Sequence, residues 1–251
     1  MIPTNQEDKK QEKVRTQLNP KQARNVKIFC VIMIIANVLC AVLMIIFWTI
    51  PDYFIILGLG MLGSVPAFFA NAGMTFAGTF HGSGHPIDGG RMFRDGKRVF
   101  GEGKTWKGLI GGIIIGSTLS FLMIFVYIAL EQGILGGSPH WSDLKLITLQ
   151  EVLFFIHPSP LNLIMRTVLL SVGACFGDLI GSFFKRRTAR ERGTPFPLLD
   201  QLDFLLFAYL CAYAFFPLPW YYILVISLFT PLVAVLANIV AYYLRKKHVP
   251  W

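Results

Sequence analysis

Charged residues are scarce in this 251-residue chain, at 15%, while the apolar set reaches 54% and mean hydropathy is positive. Soluble domains carry about 25% charged residues, so an ordinary cytosolic domain is excluded and a lipid-embedded chain is indicated. Cysteine is sparse as well: Cys30, Cys40, Cys175 and Cys211 all lie inside apolar runs, and no C-x-x-C pair occurs. That spacing excludes a disulfide framework, and the four read as packing residues. The apolar runs do not alternate with polar residues, which argues against a β-barrel. No clear small-residue cleavage site follows the first apolar run, so a retained anchor helix is expected rather than a removed signal.

What the chain does have is uncharged sequence of membrane-spanning length. Ile28 to Ile50, Tyr53 to Phe80 and Gly108 to Leu130 are three such stretches, roughly Leu161 to Phe184 is nearly so with only Arg166 and Asp178 charged, and a fifth runs uncharged from Phe204 to Leu244. About 20 helical residues cross a ~30 Å hydrocarbon core, so the last run is twice as long as one crossing needs. Pro217-Leu-Pro219 divides it. The expected fold is therefore an all-α integral membrane protein with about six transmembrane helices, the fifth running from near Pro197 to Phe216 and the sixth from about Trp220 to Leu244.

The net charge of +9 has a topological explanation. Seven basic residues precede the first span, six lie between His81 and Lys107, five between Lys185 and Arg192, and three in Arg245-Lys-Lys247. Six alternating crossings place all four groups on one face, which the positive-inside rule makes cytoplasmic. The Glu131 to Pro160 loop, on the other face, holds Lys145 against Glu131, Asp143 and Glu151. Nucleic-acid binding is not needed to explain the charge.

Between the second and third spans the chain reads HGSGHPIDGGRMFRDGKRVFGEGKTWKG, long and reactive for a connection that is usually two to eight residues. Gly89, Gly90, Gly101 and Gly103 let backbone amides approach an anion, and Arg91, Arg98, Lys104 and Lys107 supply positive charge. The pattern describes a polyphosphate cradle. A Walker A loop is rejected, because its first glycine would fall on Arg98 and no strand precedes it. Lys104 and Thr105 nevertheless sit at the start of the third helix, where free amides and the helix dipole favour phosphate. Asp88 and Asp95 either salt-bridge the arginines or contact the sugar and base of a nucleotide; spacing does not decide. His81 and His85 are four apart without a third ligand nearby, which disfavours zinc.

The fourth span carries Asp178 about seven residues from its basic end, ~10 Å inside the boundary, where an ionisable group is costly and points to function. Ser171, Cys175, Asp178, Ser182 and Lys185 form a polar stripe beside a small-residue stripe of Gly173, Gly177 and Gly181. Arg166 is the obvious structural partner for Asp178, but it lies 12 residues away and is expected to snorkel to the outer interface. Asp200 and Asp203, at i and i+3, share one face at the mouth of the fifth helix. Three carboxylates and two basic loops at one membrane face suggest one or two Mg²⁺ ions held by Asp178, Asp200 and Asp203, with Lys185 and Arg186 meeting phosphates.

At this point the residues resemble a known family. Gly177-Asp-Leu-Ile-Gly-Ser182-Phe-Phe-Lys185-Arg186 followed by Asp200-Gln-Leu-Asp203 is similar to the phosphatidate cytidylyltransferase pattern S-x-x-K-R … D-x-x-D. Pro66-Ala-Phe-Phe-Ala-Asn71, Pro86-Ile-Asp88-Gly-Gly-Arg91, Asp95-Gly-Lys-Arg98, Gly103-Lys-Thr-Trp-Lys-Gly108 and Pro197-Leu-Leu-Asp-Gln-Leu-Asp-Phe204 resemble the archaeal branch, the CDP-archaeol synthases. Phe196-Pro197-Leu198 and Arg190-Glu191 stand where the bacterial and eukaryotic pattern has His-Gly-Gly and Lys-Asp, which favours an ether-lipid substrate over diacyl phosphatidic acid.

The resemblance implies a polar tail (1–27), an added membrane helix (28–50) and a cytidylyltransferase membrane domain (53–251) with cytoplasmic loops 81–107 and 185–197. It implies transfer of CMP from CTP to 2,3-di-O-geranylgeranylglycerol 1-phosphate with release of pyrophosphate, at the plasma membrane, with Mg²⁺ or alternatively Mn²⁺. Asp178, Asp200 and Asp203 would hold metal. Lys104, Thr105, Arg98, Lys185 and Arg186 would meet the triphosphate or lipid phosphate. Asn71 either reads cytosine or ribose or bonds a neighbouring helix, and Asp88 and Asp95 join it as nucleotide candidates. A cytidylyltransferase for diacyl lipid is the close rival and a small transporter the distant one; no oligomeric state is implied.

Overall fold

The computed structural model describes residues 20–79, 84–136, 145–156, 158–188, 196 and 198–243. The tail 1–19, His81, Asp143, Pro197, most of the loop 185–197 and the last residues of the chain lie outside the described residues. Among the described residues are eight helices: α1 (Pro20–Phe47), α2 (Ile50–Thr79), α3 (Trp106–Phe121), α4 (Met123–Gly136), α5 (Leu149–Ile156), α6 (Pro160–Arg187), α7 (Leu199–Ala212) and α8 (Trp220–Tyr243). Isolated bridges in the first loop are the only β-type pairing among them.

Among the described residues five segments are long and apolar enough to cross a membrane, Ala23–Phe47, Ile50–Thr79, Trp106–Leu130, Pro160–Arg187 and Trp220–Val240. The third passes through a break at Leu122, so one expected span is two helices in series. The expected fifth span is the exception. Helix α7 has 14 residues, about 21 Å, which is short of a full crossing. It runs antiparallel to α6, with Gly181 and Gly177 against Asp203 and Gly173 against Phe207 and Ala208. Beyond its end Asn162 donates to the Phe215 carbonyl at 2.6 Å. Leu199 to Phe216 thus follows α6 over most of its length, the last turns being non-helical ahead of Pro217.

Local chemistry sets the helix ends. Thr49 and Asp52 form a capping box on α2: Asp52 accepts from the Thr49 amide at 3.1 Å and its own amide donates to the Thr49 hydroxyl at 3.2 Å. Fully buried, Asp52 also accepts from the amides of Lys145, Leu146 and Ile147 and so anchors the far loop. Thr148 and Glu151 cap α5 in the same way. That eight-residue helix was not anticipated within the Glu131 to Pro160 loop, being too short to show a period. Ser159 caps α6, with Pro160 in its first turn.

The core is formed by α2, α3, α6 and α7, with α8 against α2 and α1 on the outside of α8 and α2. Asn37 of α1 donates to the Leu228 carbonyl of α8 at 2.7 Å. Arg166 departs from expectation. It does not snorkel but is 2% exposed, donates to the Phe155 carbonyl at 3.0 Å, and lies 5.0 Å and 5.4 Å from the ring centres of Tyr127 and Phe216. Aromatic faces and a carbonyl solvate the guanidinium internally, which removes the need to reach water. It is not the partner of Asp178.

Candidate active site

The first loop is built around one buried carboxylate. His85–Ile87 pairs with Lys104–Trp106, the Ile87 amide donating to the Lys104 carbonyl at 2.8 Å and the Trp106 amide to the His85 carbonyl at 3.1 Å. Between these pairs Arg91–Val99 folds back as a hairpin. Asp88 turns inward and accepts from the amides of Gly90, Phe100 and Gly101 at 3.1, 3.2 and 2.9 Å, and from Arg98 Nη2 at 2.6 Å. Burial alone would raise its pKa, but the Arg98 guanidinium and the three amides prevail and hold it well below the usual carboxylate range. Gly101 has a φ of +100°, a conformation glycine adopts without strain, and this points its amide at Asp88.

Both Asp88 and Asp95 form salt bridges to arginines. Asp88 pairs with Arg98, and Arg98 also reaches Glu102 at 3.1 Å. Asp95 lies 3.0 Å from Arg187 Nε. Arg187, which sequence reasoning passed over, fastens the hairpin to the end of α6. Its Nη2 donates to the carbonyls of Arg98 at 2.6 Å and Lys97 at 3.3 Å, and its guanidinium sits 4.8 Å from the Phe93 ring centre and 4.7 Å from that of Phe183. Lys97 Nζ donates back to the Arg187 carbonyl at 3.1 Å.

This clamp leaves a cavity of about 610 Å³ between the loop and the ends of α2 and α6. Gly103, Lys104, Thr105, Lys185 and Arg186, all anticipated, line it together with Gly101, Glu102 and Ser182. Phe100 of the loop and Met74, Thr75, Gly78 and Thr79 of α2 complete the wall and were not anticipated. Asn71, one turn deeper on α2, is not part of the wall, and neither are Asp88, Gly89, Gly90, Arg91, Asp95, Arg98, Asp178, Asp200 and Asp203. Gly89 and Gly90 form the turn after Asp88, and Arg91 is exposed. Thr105 Oγ1 accepts the Gly108 amide at 3.0 Å and caps α3, so the helix N-terminus opens beside the cavity.

Two ion pairs join the walls. Lys104 pairs with Asp178 across loop and α6, and Lys185 lies 2.5 Å from Asp200 across α6 and α7. Asp200 also accepts the Phe196 amide at 3.1 Å. Asp203 is 8% exposed and packs its carboxylate on Gly181, where the charges of Asp178 and Asp200 act upon it and that of Lys185 opposes them. The three carboxylates therefore share one electrostatic neighbourhood, tied to the cavity through Lys104 and Lys185. Among the described residues no three His, Cys, Asp or Glu side chains are gathered closely enough to hold a metal as they stand. Lysine ammonium groups neutralise two of the carboxylates instead. Hard oxygen donors around a site already compensated by cations suit Mg²⁺ in chemistry, and a cation there would free both lysines.

Residues 54–251 match the family model for CarS-like CDP-archaeol synthase. The CDP-archaeol synthase of Thermococcus onnurineus is 41% identical over 187 residues, covering 74% of this chain and 92% of that protein. That of Methanocaldococcus jannaschii is 39% identical over 187 residues, covering 74% and 93%. A solved structure of an intramembrane enzyme for archaeal membrane lipids biosynthesis is 31% identical, with a TM-score of 0.50, and the match covers 71% of this chain and 92% of that one.

Proposed function

The chain belongs to the CDP-archaeol synthase family of membrane-embedded, CTP-dependent cytidylyltransferases, and on that premise we propose that the cavity between the first loop and α6 holds the triphosphate of CTP. One observation carries this: Lys104, Lys185 and Arg186 line a single cavity beside the N-terminus of α3, and the two lysines are paired to Asp178 and Asp200. The acceptor is 2,3-di-O-geranylgeranylglycerol 1-phosphate, and the basic face of the protein is turned to the cytoplasm at the plasma membrane.

The acceptor phosphate is a monoester whose second pKa is near 6, so it is largely dianionic at pH 7 and needs no general base. One of its oxygens attacks the α-phosphorus of CTP, the bond to the β-phosphate breaks, and pyrophosphate leaves with the electron pair. The protein's task is to neutralise and align two anions that repel each other. Lys104 and the amides at the start of α3 serve the triphosphate from one side, and Lys185 and Arg186 serve it from the other. Asp178, Asp200 and Asp203 would hold Mg²⁺, which when bound supplies charge neutralisation at the α-phosphate and the leaving group. Asp88, Arg98, Asp95 and Arg187 shape the loop that carries Lys104.

Purified protein supplied with Mg²⁺, CTP and either the isoprenoid ether phosphate or diacyl phosphatidic acid tests this through pyrophosphate release. Release with the ether lipid well above that with the diacyl lipid is expected. Equal use of both would overturn the acceptor assignment, and release with neither would overturn the reading of the cavity.

A further inference from the structure

The hairpin tip at residues 91–96 takes no part in the cavity, yet its composition and position are unusual for a solvated turn. Met92 is 62% exposed and Phe93 42% exposed, flanked by exposed Arg91 and Arg94. Neither arginine forms an ion pair among the described residues, whereas Lys97, Arg98 and Arg187 around them are all engaged. The tip thus presents two large apolar side chains between two positive charges that form no ion pair with the described residues.

Its height is fixed by α6. The Phe93 ring lies 5.3 Å from that of Phe183, and the next residue, Phe184, is 52% exposed on the outside of the helix. Phe183 and Phe184 are the last apolar residues before Lys185-Arg186-Arg187, so they mark where the hydrocarbon-facing part of α6 ends. A hairpin whose phenylalanine touches Phe183 stands level with that boundary. Trp106 at the start of α3 is 51% exposed, a residue type enriched at membrane interfaces.

We propose that the 91–96 tip is a membrane-interface finger that seats Met92 and Phe93 among lipid headgroups and pairs Arg91 and Arg94 with headgroup phosphates of the surrounding bilayer. Apolar burial and juxtamembrane basic charge act together in such contacts. Because Arg187 clamps the finger to the end of α6, next to Lys185 and Arg186 of the cavity wall, the lipid surface and the cavity are held in one register. An anionic acceptor lipid would therefore be concentrated next to the cavity mouth.

The test uses the full chain in phosphatidylcholine vesicles with varied phosphatidylglycerol. With wild-type fluorescence subtracted, the tryptophan of M92W should be quenched by lipids brominated near the headgroup end of the acyl chain and shielded from aqueous iodide. Iodide quenching without bromolipid quenching would overturn the proposal, and this readout does not depend on turnover. Independently, the R91A/R94A double variant should lose the gain in apparent affinity for the lipid acceptor that phosphatidylglycerol gives the wild type, by about fivefold for each arginine removed. Its KM for CTP should not move. An unchanged phosphatidylglycerol dependence, or a shift confined to CTP, would contradict the finger.

Discussion

The carboxylate of Asp203 occupies the space that a Cβ on Gly181 would need. Helices α6 and α7 approach so closely at this point that the acid is pinned against backbone, with the charges of Asp178 and Asp200 acting on it. Alanine at position 181 must displace the acid. G181A is expected to lower kcat about a hundredfold, the scale of a misplaced catalytic group. G58A is the control, since a Cβ at Gly58 on α2 meets nothing within 4 Å. It should leave kcat intact, and thermal unfolding will show whether the two variants are comparably folded.

Lys104 and Asp178 form an ion pair, but in the proposed reaction each has a separate task. K104M should reduce kcat/KM by about 10² to 10³, the cost of removing one electrostatic contact to a developing charge. The exchange variant K104D/D178K restores a pair of opposite charges with the roles reversed, and it should remain inactive. Recovery of activity in the exchange variant would mean that the pair only braces the structure.

Asp88 organises the loop without touching the cavity, and its carboxyl is held well below the usual range. A carboxylate depressed in the folded state contributes stability that is complete above its unfolded pKa of about 4 and is lost as pH falls below that value. The difference in unfolding temperature between wild type and D88N should therefore be constant from pH 8 to pH 5 and shrink only below about pH 4. D88N puts an uncharged amide into the buried Asp88 site and leaves Arg98 with only the exposed Glu102 as its ion pair, so about 1–3 kcal/mol of local stability should be lost. KM for CTP should rise with it.

Much of this was legible in the sequence. Uncharged runs gave the long helices because lipid demands length and apolarity, and Lys104, Thr105, Lys185 and Arg186 were placed at the cavity by charge and glycine pattern. The role of Asp88 was not, because its partners are amides and an arginine 10 to 13 residues further on that meet it only after the hairpin closes. Lys185, Arg186 and Arg187 look alike as a basic run. Each is rotated about 100° from the last, so one faces Asp200, one the cavity and one the hairpin. Thr75 and Thr79 were hidden at the end of an apolar run, and the short extent of α7 was hidden by the continuity of the run beyond it.

Arg187 bonds through a planar fork between two aromatic rings, and lysine cannot reproduce that arrangement. R187K should raise KM for CTP and lower kcat/KM about tenfold, with little change in the overall unfolding temperature. F93L should produce a similar but smaller effect. Loss of global stability without a change in KM would reduce Arg187 to a packing role.

The measurement that bears most directly on the whole account is pyrophosphate release as a function of Mg²⁺ for the wild type, D200N and D203N, each first shown to be folded and inserted. The account predicts metal-dependent release from the wild type and loss of at least a hundredfold in both variants, with no recovery at saturating CTP. Undiminished release from folded D200N and D203N, or wild-type release that persists in a chelator, would contradict it.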